Sequence, residues 1–305
     1  MSSKAITRVT VLNGGPSAER EVSLVSGTEI ASALRGEGYT VSIIDAGENL
    51  ASEISASNPD VVFNALHGRL GEDGCVQGLL EWMQVPYTHS GVYSSALAMD
   101  KEKTKDIYRS VGLPVAASML VPKSEILHTH PMPAPYVVKP YNEGSSVGVY
   151  IVNIGDDPIA NITEELPNIL MVEEFIPGYE LTVTVIDGNA LTVTNIITDG
   201  WYDFEAKYEN GGSYHEIPAK VPSEIYEACI EYAERAHKSL NCRGLSRTDF
   251  RWDKELGLAG LKLLETNTQP GMTPTSSLAP EQAAYKGISF GDLVRWMVED
   301  ASCNR

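Results

Sequence analysis

The first hundred residues alternate three short β-rich runs with helical stretches, a pattern that few folds accommodate. The β-rich runs read RVTVLN, YTVSIID and PDVVFNAL, and Gly36 and Gly38 end the helical stretch that follows the first of them. Strands that alternate with helices predict a parallel sheet covered by helices. Ligands of such sheets gather where the strands end, so we expect a site near two loops, NGGPSAEREVS and LHGRLGEDG.

The remainder of the chain has a different pattern. A charged helical stretch, MDKEKTKDIYRSVG, leads into short β-rich runs that predict a small antiparallel α+β unit. Further on, two alternating runs flank Asp187 and Gly188, and an Asp-Gly pair between such runs predicts a hairpin. Because 305 residues exceed what one compact core usually holds, we expect an α/β domain and two α+β domains with antiparallel sheets. We place the three domains at residues 1–98, 99–177 and 178–305.

The charge balance limits the partners of the chain. Acidic residues number 41 against 23 basic ones, for a net charge of −18, which argues against nucleic acid or an anionic membrane as the main partner. The four cysteines are far apart, without metal-type spacing, and indicate reduced thiols. No apolar run approaches 18 residues, and the first residues lack the apolar segment of a signal peptide. We therefore expect a cytoplasmic protein.

The segment KPYNEGSSVGV, which begins at Lys139, lies between two apolar runs and is rich in Gly and Ser. Gly and Ser expose backbone N–H groups and hydroxyls, which suit a phosphate cradle. The spacings GxxxxGK[ST] and GxGxxG occur nowhere in the chain, so neither of those two nucleotide motifs is present. Taken alone, the segment is equally consistent with a solvated hairpin turn.

A second polar cluster lies on two β-rich runs near the end of the chain, on either side of Gly257. A turn centred on Gly257 sets Asp249 opposite Glu265, and strand periodicity adds Arg247 and Asn267 to the same patch. Two carboxylates and an amide oxygen suit Mg²⁺ shared with nucleotide phosphates. The alternative is a surface salt bridge between an arginine and Glu265. The neighbouring leucines indicate partial burial and favour the metal.

Several blocks spread over the chain carry a family resemblance. They are GGPSAEREVSLVSG, LHGRLGEDGCVQGLLE, PYTHSGVYSSALAMDKEKTK, VVKPYNEGSSVGV, EEFIPGYELTV, YDFEAKY, CRGLSRTDF and LETNTQPGMTPTSSL. In this order they resemble the D-alanine–D-alanine ligases of the ATP-grasp superfamily. The resemblance implies ATP-dependent ligation of two D-alanine molecules through an acylphosphate, releasing ADP and phosphate, for peptidoglycan precursor synthesis. It also implies a homodimer and a dependence on Mg²⁺ or Mn²⁺, with two ions.

The resemblance assigns roles in nucleotide binding. Lys101 and Lys139 would hold phosphates, and Lys207 would reach the terminal phosphates from a closing lid formed by residues 199–219. The remaining expected nucleotide contacts are the phosphate-covering residues Glu143, Ser145 and Ser146, the adenine-lining residues Glu173, Glu174, Phe175 and Ile176, and Glu180 on the ribose. Two other lysines of the charged helix, Lys103 and Lys105, are expected to be solvated surface charges.

It also assigns roles at the substrates. Glu19 would bind the ammonium group of the first D-alanine and join Ser145 and Tyr208 in one hydrogen-bonded set, with His67 nearby. The resemblance gives the metal to Asp249, Glu265 and Asn267, and the oxyanion to Arg247 and the backbone N–H of Gly271.

The chain departs from the family pattern in two blocks. The family usually has one serine before the leucine, whereas this chain reads Ser276, Ser277, Leu278, so either serine could bind the second substrate's carboxylate. His89 stands where glycine is common, which we interpret as a tolerated loop change. Two other functions compete with the dipeptide ligase: a different ATP-grasp ligase, such as a D-alanine–D-lactate ligase, and a nucleotide-binding module without catalysis. Tyr208 in EAKY favours the dipeptide-forming type.

Overall fold

A computed structural model describes residues 6–126, 129–144, 148–157, 166–198 and 213–304. These residues form three β-sheets, and helices connect or cover the strands of each sheet. The order of parallel strands first and antiparallel strands afterwards confirms the predicted fold class. Within the described residues, no helix is both long and apolar enough to cross a membrane.

The first sheet is parallel and has the strand order β2-β1-β3. Its strands and following helices are β1 (Arg8–Asn13), α1 (Arg20–Gly36), β2 (Thr40–Asp45), α2 (Leu50–Ser57), β3 (Val61–Asn64) and α3 (Cys75–Met83). Because the three strands run in one direction, the loops after β1 and β3 lie at the same edge of the sheet, as the sequence predicts. This edge holds the first-substrate candidates Glu19 and His67.

The second sheet is antiparallel, with the order β4-β7-β5-β6. Two helices lead into it, and its elements are α4 (Val92–Met99), α5 (Lys101–Ser110), β4 (Ser118–Pro122), α6 (Lys123–Ile126), β5 (Tyr136–Lys139), β6 (Tyr150–Val152) and β7 (Ile169–Glu174). Helix α5 is capped at its start, where the Asp100 side chain accepts a hydrogen bond from the Lys103 N–H. The predicted small antiparallel unit is therefore confirmed.

The third sheet is antiparallel, with the order β10-β9-β8-β11-β12. Its strands are β8 (Tyr179–Ile186), β9 (Asn189–Ile197), β10 (Tyr214–Glu216), β11 (Leu245–Trp252) and β12 (Leu261–Asn267). The other elements of this part are α7 (Ser223–Ser239), a 3₁₀ turn (Lys254–Gly260), α8 (Leu278–Tyr285) and α9 (Phe290–Asp300). Asp187 and Gly188 both adopt positive φ between β8 and β9, which confirms the predicted hairpin.

The end of the chain packs against its beginning. Val294 and Met297 of α9 are buried in one apolar cluster with Ile30 and Leu34 of α1 and with Val9 of β1. Full burial of each such side chain stabilises the fold by about 1.5–3 kcal/mol. The C-terminal helix thus helps to cover the parallel sheet, and the boundaries 1–98, 99–177 and 178–305 stay predictions.

The predicted lid segment 199–219 is only partly a connector. Tyr214–Glu216 form the edge strand of the third sheet and pair with β9. The prediction that this part of the segment is an irregular connector is therefore wrong. Residues 199–212 lie outside the described residues.

Candidate active site

The carboxylate patch forms as the sequence predicts. In the register of β11 and β12, Asp249 lies opposite Glu265 and Arg247 lies opposite Asn267. The register shifts by one residue directly after Asp249, so Leu264 is an extra residue on β12. Asp249 and Glu265 both lie along the wall of a cleft between the second and third sheets, and Leu264 lines the same cleft.

Asp249 is buried and held from several directions. Arg247 donates to its two carboxylate oxygens from Nε at 2.8 Å and from Nη2 at 2.7 Å. The Thr182 hydroxyl on the neighbouring strand β8 donates at 2.6 Å, and the Asn267 amide donates at 3.0 Å. Charge-assisted and bidentate hydrogen bonds of this kind fix the orientation of a carboxylate.

Glu265 pairs with Lys101, the first residue of α5. The Lys101 Nζ atom lies 2.9 Å from Glu265 Oε2 and donates to the Glu143 backbone oxygen at 2.7 Å. This ammonium group therefore links the carboxylate patch to the Gly/Ser loop that follows β5. Lys101 is largely buried and lines the cleft, as expected for a group that contacts a ligand.

A second group of charges lies deeper in the same region. Glu173 on β7 is buried, and its carboxylate is shared between Lys139, whose Nζ lies 2.6 Å from Oε2, and Lys105, which contacts Oε1. The prediction that Lys105 is a solvated surface charge is wrong, because its side chain is fully buried. Lys105 follows Lys101 by one helical turn and so lies on the same inward face of α5. Lys103 is exposed, as predicted.

The predicted adenine and ribose residues line the same cleft. Arg251 donates to the Ile176 backbone oxygen at 3.0 Å and to the Glu180 carboxylate at 3.1 Å, and its guanidinium carbon lies 6.0 Å from the Phe175 ring centre. The cleft is lined by Lys101, Val137, Lys139, Pro140, Glu143, Gly144, Val149, Glu173, Glu174, Phe175, Ile176, Glu180, Asp249, Arg251, Leu264 and Glu265. A lining that combines lysines with apolar side chains suits a molecule with a charged and a flat apolar part.

A second cleft adjoins the first. It is lined by Glu19, His67, Glu72, Gly144, Arg247, Glu265, Asn267, Gln269, Pro270, Gly271, Ser276, Ser277 and Leu278. Gly144 and Glu265 line both clefts. A ligand in one cleft therefore meets a ligand in the other beside Glu265, which is the arrangement that group transfer between two bound molecules needs.

Glu19 lies between two glycine loops. A side chain at Gly68 would put a carbon 2.5 Å from Glu19 Oε2, and one at Gly144 would put it 2.8 Å from the same oxygen. A side chain at either position would displace the Glu19 carboxylate, so glycine lets both loops approach it closely. The loop after β5 thus reaches the edge of the parallel sheet, where the first-substrate residues lie.

His67 is buried beside two carboxylates. Its Nδ1 atom lies 3.1 Å from Glu72 Oε1. Burial by itself lowers the pKa of His67, but the hydrogen bond and charge of Glu72, with the charge of Glu19, together raise the pKa above its usual 6.5. The backbone of Gln269 also acts on the ring and raises its pKa, although the other buried ring nitrogen, Nε2, makes no hydrogen bond of ordinary geometry among the described residues.

The two adjacent serines differ in position. Ser277 Oγ accepts a hydrogen bond from the Thr273 N–H at 2.9 Å and lies 3.0 Å from where a side chain at Gly271 would begin. Ser276 is exposed, and its hydroxyl contacts the Thr273 hydroxyl at 2.7 Å. Ser277 directly precedes α8 and lies closer to the interior of the second cleft than Ser276 does.

Comparisons with known proteins agree with this geometry. The chain matches the family models described as D-ala D-ala ligase N-terminus, over residues 46–90, and D-ala D-ala ligase C-terminus, over residues 107–299. It is 66% identical over 305 residues to the D-alanine–D-alanine ligase of Ruegeria pomeroyi, covering 100% of this chain and 99% of that protein. The corresponding protein of Dinoroseobacter shibae is 61% identical with the same coverage.

The chain belongs to the D-alanine–D-alanine ligase family. Its fold also matches the crystal structure of D-alanine–D-alanine ligase from Bacillus anthracis with a TM-score of 0.81 and 31% identity, covering 96% of this chain and 97% of that one. The same enzyme complexed with ATP gives a TM-score of 0.80 at 29% identity, covering 97% of each chain. The chain is therefore a ligase with the fold that the resemblance implies.

Most of the residues that the resemblance assigns come together in the two clefts. Four of them, Ser145, Ser146, Lys207 and Tyr208, lie outside the described residues, and so does the proposed set of Glu19, Ser145 and Tyr208. His89 lies within the described residues. Its side chain is buried and its backbone has a φ of 68°, a conformation that glycine adopts readily. This explains why the family commonly has glycine there.

Three buried polar side chains of the site were not predicted from the sequence: the amides of Asn64 and Gln269 and the hydroxyl of Thr182. Gln269 donates to the Leu66 backbone oxygen and accepts from the Asn64 side chain at 2.8 Å, which ties the loop after β12 to the end of β3. Thr182 holds Asp249 from a third strand. A polar residue at the end of a buried strand, as Asn64 is, signals such a role, whereas nothing in its sequence neighbourhood singles out Thr182.

The patch is compatible with a divalent metal. Asp249 and Glu265 supply carboxylate oxygens and Asn267 an amide oxygen, the ligand types that Mg²⁺ and Mn²⁺ prefer. Within the described residues, no group of three His, Cys, Asp or Glu side chains is arranged to hold a metal ion, so a cation here would need additional ligands. Nucleotide phosphates are ligands of this kind.

Proposed function

We propose that this chain catalyses the ATP-dependent ligation of two D-alanine molecules to D-alanyl-D-alanine. The observation that carries the proposal is the meeting of two clefts at Glu265, one with lysines and apolar walls and one with Glu19 and His67. The names of the relatives support the same activity. The competing D-lactate ligase is not favoured, because the most similar relatives described above are named as D-alanine–D-alanine ligases.

The reaction needs an activated carboxylate, because a carboxylate ion is a poor electrophile. The first D-alanine attacks the γ-phosphate of ATP with a carboxylate oxygen, which gives an acylphosphate and ADP. The amine of the second D-alanine then adds to the acyl carbon, loses a proton, and expels phosphate as the amide bond forms. Positioning and charge stabilisation supply most of the catalysis in such phosphoryl transfers.

The nucleotide would lie in the first cleft with its phosphates towards Lys101 and Lys139. A lysine about 4 Å from a phosphate oxygen contributes roughly 4 kcal/mol of attraction at an effective dielectric of 20. Adenine would lie against Phe175 and Ile176, and Glu180 would contact the ribose beside Arg251. Lys207, Ser145 and Ser146 remain predicted phosphate contacts, and Glu143 and Glu174 predicted neighbours of the nucleotide.

The two D-alanine molecules would occupy the second cleft. The buried Glu19 carboxylate would bind the ammonium group of the first, with His67 beside it. The second would place its carboxylate at the start of α8, near Ser277 and the Leu278 N–H, where the helix dipole favours an anion. Arg247 and the Gly271 N–H line the cleft between these positions and would stabilise the oxyanion of the tetrahedral intermediate.

Asp249, Glu265 and Asn267 would hold Mg²⁺ or Mn²⁺, with two ions expected. A bound divalent cation would neutralise charge on the phosphate oxygens. We further propose a cytoplasmic homodimer that supplies D-alanyl-D-alanine for peptidoglycan precursors. The metal ions, the homodimer and the cytoplasmic location rest on the family resemblance.

An assay of phosphate release with three substrates tests the proposal. Phosphate release from ATP should require D-alanine and yield D-alanyl-D-alanine, whereas L-alanine should not support it. Offering D-lactate together with D-alanine separates the dipeptide ligase from a depsipeptide ligase. ATP binding without D-alanine-dependent phosphate release would instead indicate a nucleotide-binding module.

A further inference from the structure

Lys105 is a buried lysine that does not line either cleft. It is fully buried behind Glu173, contacts the Glu173 carboxylate, and donates to the Ala116 backbone oxygen at 3.4 Å. Glu173 in turn lines the first cleft. Lys105 is therefore one layer removed from any ligand there.

Two lysine side chains contact the Glu173 carboxylate at the same time. Lys139 lies 2.6 Å from one of its carboxylate oxygens, while Lys105 contacts the other. Of these two lysines, only Lys139 lines the cleft. A buried carboxylate that loses its only cation is strongly destabilised, whereas one with two cations can release one of them and stay neutralised.

The electrostatic surroundings of Lys105 agree with this arrangement. Burial lowers the pKa of Lys105 well below its usual 10.5, the charge of Lys139 lowers it further, and Glu102 and Glu265 act in the opposite direction. Two ammonium groups on one buried carboxylate repel each other. Moving Lys139 away from Glu173 therefore relieves a repulsion that exists only because Lys105 is present.

We propose that Lys105 is a positioning residue that retains Glu173 and thereby frees Lys139 to contact the nucleotide phosphates. The proposal rests on the proposed function, since it takes the nucleotide cleft as given. Without Lys105, Lys139 is the remaining lysine on Glu173, and a phosphate must compete with that buried carboxylate for it. The contribution of the phosphates to nucleotide affinity is then lost, while the contribution of the adenosine moiety is kept.

Calorimetric titration of Lys105→Met with ATP, ADP and adenosine, each in excess Mg²⁺, separates the contribution of the phosphates to the affinity from that of the adenosine moiety. We expect ATP and ADP to bind about ten- to hundredfold more weakly and adenosine to change by less than about threefold. The control Lys103→Met removes an exposed lysine of the same helix and should leave all three affinities unchanged. An equal loss for ATP and adenosine would mean that Lys105 only shapes the cleft, which would overturn the proposal.

A double variant provides a second test, including the case in which Lys105→Met does not fold. Lys105→Met with Glu173→Gln removes both the buried Lys105 charge and the carboxylate that it contacts, and a neutral amide does not compete for Lys139. Its ATP affinity should therefore match that of Glu173→Gln alone, and a tenfold lower affinity in the double variant would contradict the proposal. If the unaltered protein bound ATP no more tightly than adenosine, the proposed function itself would fail instead.

Discussion

The ammonium group of Lys101 lies 2.9 Å from the Glu265 carboxylate, which is one of the proposed metal ligands. A divalent cation at Glu265 would lie close to this positive charge. Two like charges about 4 Å apart repel by roughly 4 kcal/mol per unit charge pair at an effective dielectric of 20. Nucleotide phosphates relieve the repulsion, because they attract both Lys101 and the metal.

We therefore expect the metal to bind together with nucleotide. Mn²⁺ affinity, measured by electron paramagnetic resonance, should be at least about tenfold weaker without a nonhydrolysable ATP analogue than with it. Lys101→Met should bind Mn²⁺ more tightly than the unaltered protein when no nucleotide is present. Equal Mn²⁺ affinity with and without nucleotide would contradict the expectation that the metal binds beside Lys101 only together with the nucleotide.

The carboxylates of the patch should be required for activity. Asp249→Asn and Glu265→Gln keep the size of each side chain and remove the charge that a metal needs. We expect each variant to lose phosphate release at limiting Mg²⁺ while its circular dichroism spectrum stays close to normal. Asp249→Asn should also lower the melting temperature, because it removes the carboxylate that pairs with Arg247. Glu255→Gln, an exposed position in the connecting 3₁₀ turn, is the control. Normal turnover by either patch variant would refute the metal assignment.

Arg247 should act on the chemical step. It contacts Asp249 through two guanidinium nitrogens, and lysine cannot reproduce this fork. Arg247→Lys should reduce kcat by about 10²–10³-fold, the usual loss for one oxyanion-stabilising donor, with a smaller change in KM for ATP. Arg243→Lys, at an exposed position before β11, should have normal kinetics. A change confined to the KM for ATP would argue against the oxyanion role.

The two serines should differ in their effect on the second substrate. Ser277 lies beside Gly271 and directly precedes α8, whereas Ser276 is exposed. Ser277→Ala should raise the KM for the second D-alanine by about tenfold, as expected for the loss of a hydrogen bond to a charged group. Ser276→Ala is the matched variant and should change it by less than twofold, within what surface substitutions usually do. The opposite ranking would assign the carboxylate to Ser276.

The raised pKa of His67 predicts a pH-dependent contribution to stability. A folded-state pKa above the usual 6.5 means that the Glu72–His67 pair stabilises the fold most below pH 6.5 and that this stabilisation is lost as pH rises through the folded pKa. Urea unfolding of Glu72→Gln should therefore show a larger loss of unfolding free energy at about pH 5.5 than at about pH 8.5. The exposed control Glu29→Gln should show no such difference.

Local sequence patterns were enough to predict most of the fold and part of the site. The Asp187-Gly188 turn and the turn near Gly257 predict two hairpins and set the register only beside each turn, because both hairpins contain a register shift farther out. Next to the turn Trp252 pairs with Leu261, and extending this register outward would set Asp249 opposite Leu264. The bulge at Leu264 shifts the pairing by one residue and puts Glu265 opposite Asp249, so the predicted opposition depends on an extra residue that the sequence does not clearly signal.

Tertiary structure alone decided which charges are buried and which partners they have. Lys103 and Lys105 have the same local composition, yet packing of α5 leaves one exposed and buries the other against Glu173. Gln269 meets Asn64 from 205 residues away, and α9 covers the sheet formed by the first strands. Periodicity determines which face of a helix or strand is apolar, but only the packing of distant segments determines which side chain that face meets.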